Sequence, residues 1–471
     1  MDIHERLSQL PAVDTLLGSP ALAPALARFS RRAVADAIRQ VLGEVREALR
    51  REESVSPEPA VSVEAMAARV QAYLERASRP GLRRAINATG IILHTGLGRA
   101  VLPRAALRAI EEELERYSLL QMSQKTGERS LREGPVETLL QQLTGCEAAT
   151  VVNNNAGATA LVLRVLAQGR EVVVSRGQLV EIGGSFRIPD VMAESGATLV
   201  EVGTTNRTHL RDYASAINER TAALLRVHPS NYRVYGFTAE VPIADLATLG
   251  HEHHLPVVDD LGSGALIDLT RFGLPYEPTV QASLRGGADI VTFSADKLIG
   301  GPQGGIIVGK KEHIQRLRAH PMARILRVDK LTLVALEATL RLFLDEERLL
   351  TEHSTLRMLQ EPVAAVSRRA QRLARAIRAR LPEAEVAVVS AWAQMGSGSL
   401  PTHDLPSRAV AVAVPPLSAD ALAERLRLSE PPVFARIQED RVLLDLRTVA
   451  ADEIREIVEA FGTISEQASG V

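Results

Sequence analysis

Lys297 follows Ser294 by three residues and Asp296 by one, between the apolar run "ADIVTF" and the glycine-rich "GGPQGG". A lysine is ordinarily a solvated surface charge. At a buried strand end its ammonium is costly to desolvate, its pKa falls, and the free amine can hold an aldehyde as a Schiff base. Two other apolar runs end in polar groups that complement it. "LPVV" is followed by Asp259 and Asp260, then "LGSG". "TVV" is followed by "NNNAGATALVL", small polar residues leading into an apolar helix. A helix opening at Asn154 and Asn155 would aim the N–H groups of Ala156, Gly157 and Ala158 outward, where they suit a phosphate.

Each feature alone has an ordinary structural explanation: a capped helix, a strand-end carboxylate, a surface lysine. Together they supply what pyridoxal 5′-phosphate needs: a lysine for its aldehyde, a carboxylate to keep its pyridine nitrogen protonated, and an anchor for its phosphate. Asp259 is preferred to Asp260 as the pyridine partner because it directly follows Val257 and Val258. Ser294 adds a hydroxyl for the phosphate, and the glycines let backbone pass close to the cofactor. Gln178 and Glu181, which follow another apolar run, are placed near the cofactor by position alone.

Three rival motifs fail. "GGIIVGKK" (304–311) approaches a nucleotide-binding P-loop, but Lys311 stands where the magnesium-binding hydroxyl belongs, and "IIV" reads as strand. "HEHH" (251–254) lacks the helical zinc spacing and sits where a helix ends, so no metal is expected. "GLGRA" from Gly96 lacks the third glycine of a dinucleotide fingerprint.

The elements that must hold these residues alternate. Seven short β-rich runs, near 150, 171, 198, 222, 257, 290 and 305, are separated by helix-compatible segments. That pattern predicts an α/β domain with a mainly parallel sheet, whose ligands sit at the carboxyl ends of the strands. Residues 1–84 read as a helical domain, 85–335 as the large α/β domain and 336–471 as a smaller α+β domain. Within the first, Val34, Ile38, Val41, Leu42, Val45 and Leu49 recur at helix spacing. Arg28, Arg32, Arg39, Arg46 and Arg50 fall in one stripe beside that apolar face. Such a stripe is either a solvated helix face or a track for phosphates. "EESVSPEPAVS" reads as a linker.

Composition bounds the rest. The 471-residue chain is 46% hydrophobic with a net charge of −2, so it can bury a large core and is not coated in positive charge. Its one cysteine, Cys146, excludes a disulfide framework. The acidic N-terminus is no secretion signal, and no apolar run is long enough to span a bilayer, so a cytoplasmic protein is expected.

The segments "INATGIILHTGLGRA", "EIGGSFRIPDVM", "TFSADKLIGGPQGG" and "ARIQEDRVLLDLRTV" resemble the bacterial L-seryl-tRNA(Sec) selenium transferases, nearly end to end. The resemblance implies a fold-type-I pyridoxal phosphate enzyme with a seven-stranded sheet and an N-terminal domain that grips the selenocysteine tRNA. It implies a ring-shaped homodecamer built from dimers. It also implies that the seryl group is dehydrated by β-elimination to an aminoacrylate, which then takes up selenium from selenophosphate. Lys297 would be the proton-transfer base, and Asp296 would orient it or the substrate. Arg99, Arg324 and Arg327 would bind the anionic donor, the last two from one helix face if that stretch is helical. Two rivals stand beside this reading: a lyase or aldolase of the same fold acting on a small amino acid or sugar acid without tRNA, and a tRNA-binding protein with a vestigial cofactor site.

Overall fold

Apolar residues at three- and four-residue spacing make α1 (Arg31–Arg50), whose Val34, Ile38, Val41, Leu42, Val45 and Leu49 are all buried. They pack on Met66, Val70 and Leu74 of α2 (Val63–Ser78), which opens with Ser62 Oγ accepting from Ala65 N. That N-cap is worth about 1 kcal/mol. Arg32, Arg39, Arg46 and Arg50 are exposed along α1. Arg28 is not on that helix. A shorter helix (Ala23–Arg28) ends at extended Phe29, against whose ring Arg28 lies.

The structure, a computed structural model, describes residues 7–50, 61–183, 186–396, 398–400 and 403–469. Nearly all of the linker read at 52–62 lies outside them. Residue contacts divide the chain into two compact units, residues 1–84 with 463–471 and residues 85–462. The boundary expected after residue 335 falls inside a helix (Lys330–Leu342) of the larger unit.

That larger unit opens with two short strands, β1 (Ile86–Ala88) and β2 (Ile91–Leu93), and continues through β3 (Ala148–Val152), α3 (Asn155–Ala167) and β4 (Glu171–Ser175). A small hairpin, β5 (Glu181–Ile182) with β6 (Phe186–Arg187), precedes β7 (Thr198–Val202), β8 (Thr221–Val227) and β9 (Val257–Gly262). Then come α4 (Val280–Arg285), β10 (Ile290–Ser294), β11 (Gly305–Gly309) and α5 (Pro321–Ile325).

The seven expected runs are the seven strands of one sheet, in the order β3-β11-β10-β9-β8-β4-β7. Pairings from β10 to β7 are parallel, whereas β11 runs antiparallel to both neighbours. Six of the strands are buried on both faces, or nearly so, as their apolar composition requires, whereas β7 at the edge is partly exposed.

A second sheet joins β12 (Glu385–Gly396), β13 (Asp404–Ala413), β14 (Val433–Gln438) and β15 (Arg441–Asp445) to β1 and β2, in the order β1-β14-β15-β13-β12-β2. Local pattern assigned residues 86–93 to the large α/β layer, but they are edge strands of this sheet. Such long-range partners leave no mark on a three-residue run. Among the described residues no helix is long and apolar enough to cross a membrane.

Candidate active site

Strand alternation decides which groups share the site. On β9, Val258 belongs to the core cluster beneath α3, with Ala158, Leu161 and Val162, whereas Val257 packs with Leu246 and Leu249 on the other face. Asp260 therefore turns to the α3 side and Asp259 away from it. Asp260 accepts from Asn155 Nδ2 at 2.8 Å and from Thr159 Oγ1 at 2.9 Å. Asp259 accepts from Ser283 Oγ on α4 and lies 3.6 Å from Arg226 Nε. The strand runs on to Gly262, so the aspartate directly after the apolar pair is not the one facing α3.

Lys297 lies just past β10, 6% exposed. Burial pushes its amine below the ordinary lysine range, reinforced by Arg99 and opposed by Asp260, Asp296 and Glu277. Asp260 moves the other way. Burial raises its carboxyl above the usual range, against the hydrogen bonds from Asn155 and Thr159 and the charge of Lys297. A carboxyl that burial makes costly to ionise is stabilised as its anion by a cationic partner, such as a protonated pyridine nitrogen.

Glycine backbone comes close to Lys297 Nζ, where a side chain would collide. A Cβ on Gly398, which has φ of 61°, would come within 2.7 Å of Nζ and 3.3 Å of Ser230 Oγ. Gly305, opposite Val152 on β11, packs directly on the Asn154 carbonyl, where any side chain would collide with backbone. Buried Asn155 Oδ1 and Ser399 Oγ have no partner among the described residues. Unmet acceptors and hydroxyls near the buried lysine are what a polar ligand would satisfy.

The helix end is less free than its sequence implied. Asn154 is the N-cap of α3, its Oδ1 accepting from Gly157 N at 2.8 Å, while Ala158 N donates to Asn154 O. Two of the three N–H groups assigned to a phosphate are thus already used, leaving Ala156 of that set. Ser294, at the end of β10, is buried. Gln178 is buried too, but its Oε1 accepts from Val227 N at 3.1 Å and so serves the sheet. Glu181 pairs with Arg187 across the β5–β6 hairpin, 2.8 Å apart.

The expected anion-binding arginines fall in two places. Arg99, held at φ of 61°, pairs with Asp296 at 2.8 Å, beside Lys297. Arg324 is on α5, but that helix ends at Ile325, and Arg327 instead bridges to Val152 of β3. Asn153 N donates to Leu326 O at 2.8 Å, which fixes this segment against the entry to α3. The two arginines do not share a helix face, yet they converge on a third, Arg132. It is depressed by burial and then by the repulsion of Arg327 and Arg324, with Glu133 opposing.

Arg132 lies in "SLREG", which has no motif, and the sequence reading passed over it. It also passed over His228, Ser230 and Glu277. Ser230 flanks Lys297, and His228 Nε2 lies 3.4 Å from Glu277 Oε1. The strand-end rule applied to "AALLRVH" would have flagged His228 and Ser230. His251 of "HEHH" pairs with Asp289 at 3.1 Å, and His253 and His254 are exposed.

A lysine, a carboxylate and a helix N-terminus at the carboxyl edge of a seven-stranded, mainly parallel sheet define an α/β enzyme of the aminotransferase-like class. In its fold the chain is similar to a solved D-glucosaminate-6-phosphate ammonia-lyase, with a TM-score of 0.55 and 22% identity over 83% of this chain and 97% of that one. The chain belongs to the L-seryl-tRNA selenium transferase family, whose description matches residues 85–450, while residues 7–46 match the selenocysteine synthase N-terminal family. It is 49% identical to the L-seryl-tRNA(Sec) selenium transferase of Nitratidesulfovibrio vulgaris, over 93% of this chain and 95% of the relative. It is 47% identical to that of Geobacter metallireducens, over 98% and 99%.

Proposed function

We propose that the chain converts L-seryl-tRNA(Sec) to L-selenocysteinyl-tRNA(Sec), with selenophosphate as selenium donor and pyridoxal 5′-phosphate as resident cofactor. The observation that carries this reading is the gathering of buried Lys297, Asp260 and the α3 N-terminus at one edge of the sheet, in a chain similar to selenium transferases along nearly its whole length. Lys297 would hold the cofactor's aldehyde, Asp260 its pyridine nitrogen, and Asn154, Ala156 and Ser294 its phosphate. Asp260 replaces Asp259 in that role because it faces α3, and Asn155 orients it. Gly157 and Ala158 complete the helix turn behind the phosphate, and Gln178 braces the adjoining strand.

Bound there, pyridoxal phosphate supplies a protonated conjugated ring that takes up the electron pair left when the seryl Cα–H bond breaks. The chain's own groups manage the protons. Lys297 Nζ, released when the seryl amine takes its place and made easier to deprotonate by burial, takes the Cα proton. The same nitrogen, now an ammonium, returns a proton to the departing serine oxygen, because hydroxide is a poor leaving group. Arg99 beside Lys297, and the group of Arg324, Arg327 and Arg132, would bind the anionic donor; selenium adds at Cβ, Cα regains a proton, and water takes the phosphoryl group as the Se–P bond breaks, releasing phosphate. Asp296 keeps Arg99 aimed beside Lys297. Arg32, Arg39, Arg46 and Arg50 give tRNA phosphates a track on α1.

The active assembly is a ring-shaped homodecamer of dimers working in the cytoplasm. Exposed Tyr117, Leu119, Met122 and Leu131 supply apolar surface that self-association would cover. The test is conversion by the cofactor-loaded protein given seryl-tRNA(Sec) and selenophosphate, with the amino acid released from the tRNA identified. Selenocysteine from that tRNA and none from seryl-tRNA(Ser) is the expected result. Unchanged serine from both would overturn the reading.

A further inference from the structure

A cavity of about 340 Å³ opens on the same carboxyl edge of the sheet, beyond the ends of β4, β7 and β8. Its walls include Asn206, Arg207, His228, Tyr232, Arg233 and Tyr276. It adjoins the lysine site through one short stretch of chain. His228 lines the cavity, and Ser230, two residues on, flanks Lys297 Nζ. His228 also contacts Glu277, a buried carboxylate whose charge reaches Lys297.

The lining has a definite chemistry. Tyr232 is half-buried and anchored by its hydroxyl to the Gly177 carbonyl, so its ring is held in place. Tyr276 is exposed, and the loop that carries Tyr232 also presents Tyr235 and Phe237 to solvent. Arg207 lies over the Phe237 ring, 5.8 Å from its centre, and Asn206 Nδ2 donates to the Phe237 carbonyl at 2.6 Å, fixing the loop. Aromatic faces with guanidinium groups and amide or hydroxyl donors make up the surface that stacks a base and holds its ribose and phosphates. The volume is in the range of small-ligand sites.

The substrate sets a distance condition. The serine is an ester of the terminal ribose, so its Cα is only two bonds from a ribose oxygen. Whatever holds that nucleoside must border the lysine site at the same sheet edge, and this cavity does. We propose that it seats the terminal adenosine of the tRNA acceptor end. Tyr232 and Tyr276 flank the base, and Arg207 and Arg233 take the phosphates that precede it. The assignment rests on reading the chain as a transferase that acts on seryl-tRNA.

The test uses the full-length, cofactor-loaded protein and tRNA ending in 2-azidoadenosine. Irradiation is expected to attach the terminal base to Tyr232, Tyr276 or the loop at 229–239. Attachment confined to peptides outside the cavity overturns the proposal. With unmodified seryl-tRNA at saturation, Asn206→Ala and Arg207→Ala are each expected to slow a single turnover by about tenfold or more, while tRNA affinity changes less than about twofold. Wild-type rates in both variants would also overturn it. A wild-type protein that converts no seryl-tRNA would count against the transferase reading, and the crosslink would still decide the cavity.

Discussion

Arg99 and Asp296, 197 residues apart in sequence, meet at 2.8 Å beside Lys297 and act on its amine with opposite signs. After burial, Arg99 is the main influence that lowers the lysine's pKa, and Asp296 raises it. Asp296→Asn should therefore move the titration of Lys297 to lower pH, and Arg99→Gln to higher pH. The pH dependence of cofactor recombination with the stripped protein reads this directly, because only the neutral amine combines. Shifts in the same direction for both variants would contradict the account.

The two aspartates of β9 separate chemistry from support. Asp260→Asn should lower turnover by about a hundredfold or more, the usual scale for losing a group that governs proton movement. Asp259→Asn should leave turnover within a few-fold. It should instead reduce stability by about 1–3 kcal/mol, because Ser283 and Arg226 lose a buried charged acceptor. Activity assays and thermal melts on the two variants check this, and a reversed pattern would return the role to Asp259.

The charges of Arg327 and Arg324 both act against that of Arg132. Replacing any one with alanine should raise the KM for selenophosphate by about ten- to a hundredfold, the loss expected for a charge-assisted hydrogen bond. Binding of seryl-tRNA should hold. Steady-state rates against donor concentration measure the effect, and an unchanged KM would remove that arginine from the donor site.

His353 supports the glycine segment after Lys297 and predicts an acid-side loss of stability. Fully buried beneath Gly300, it donates from Nε2 to the Ile299 carbonyl at 2.8 Å and accepts from Leu356 N at Nδ1. Burial holds its pKa down to about 4, from the ordinary 6.5 of a histidine. The unfolded chain therefore binds a proton that the folded chain refuses between those values, and stability falls as pH drops through that window. The full effect is about 3 kcal/mol. Thermal melts from pH 7 to 4 should show a shallower slope for His353→Gln, and equal slopes would exclude this origin.

On α1, neutralising Arg32, Arg39, Arg46 and Arg50 together should weaken tRNA binding and flatten its dependence on salt. Arg28→Gln should do less, because Phe29 breaks the helix between it and the stripe. Binding curves at several salt concentrations test both, and an unchanged slope in the fourfold variant would dismiss the track.

The central sheet was legible because each of its strands carries its own composition. The seven runs became seven strands, and Lys297 was readable from its place after one of them. The choice between Asp259 and Asp260 was not, because it depends on how far β9 continues and on which face α3 covers. The arginine cluster was legible only in part. Arg324 and Arg327 stand near each other in sequence, but Arg132 joins them by donating to the Val328 carbonyl from 196 residues away, which local pattern does not contain. The same limit hid β1 and β2, whose partners lie more than about three hundred residues away. Gly398 shows its purpose only when Lys297 Nζ is seen beside it.

The most direct test of the account uses seryl-tRNA(Sec) deuterated at the serine Cα, incubated with the cofactor-loaded protein and selenophosphate in ordinary water. Proton removal by Lys297 predicts selenocysteinyl-tRNA that has lost deuterium from Cα, and neither product nor exchange from Lys297→Ala. Selenocysteinyl-tRNA that keeps all of its deuterium would mean direct displacement at Cβ, and would contradict the role given to Lys297.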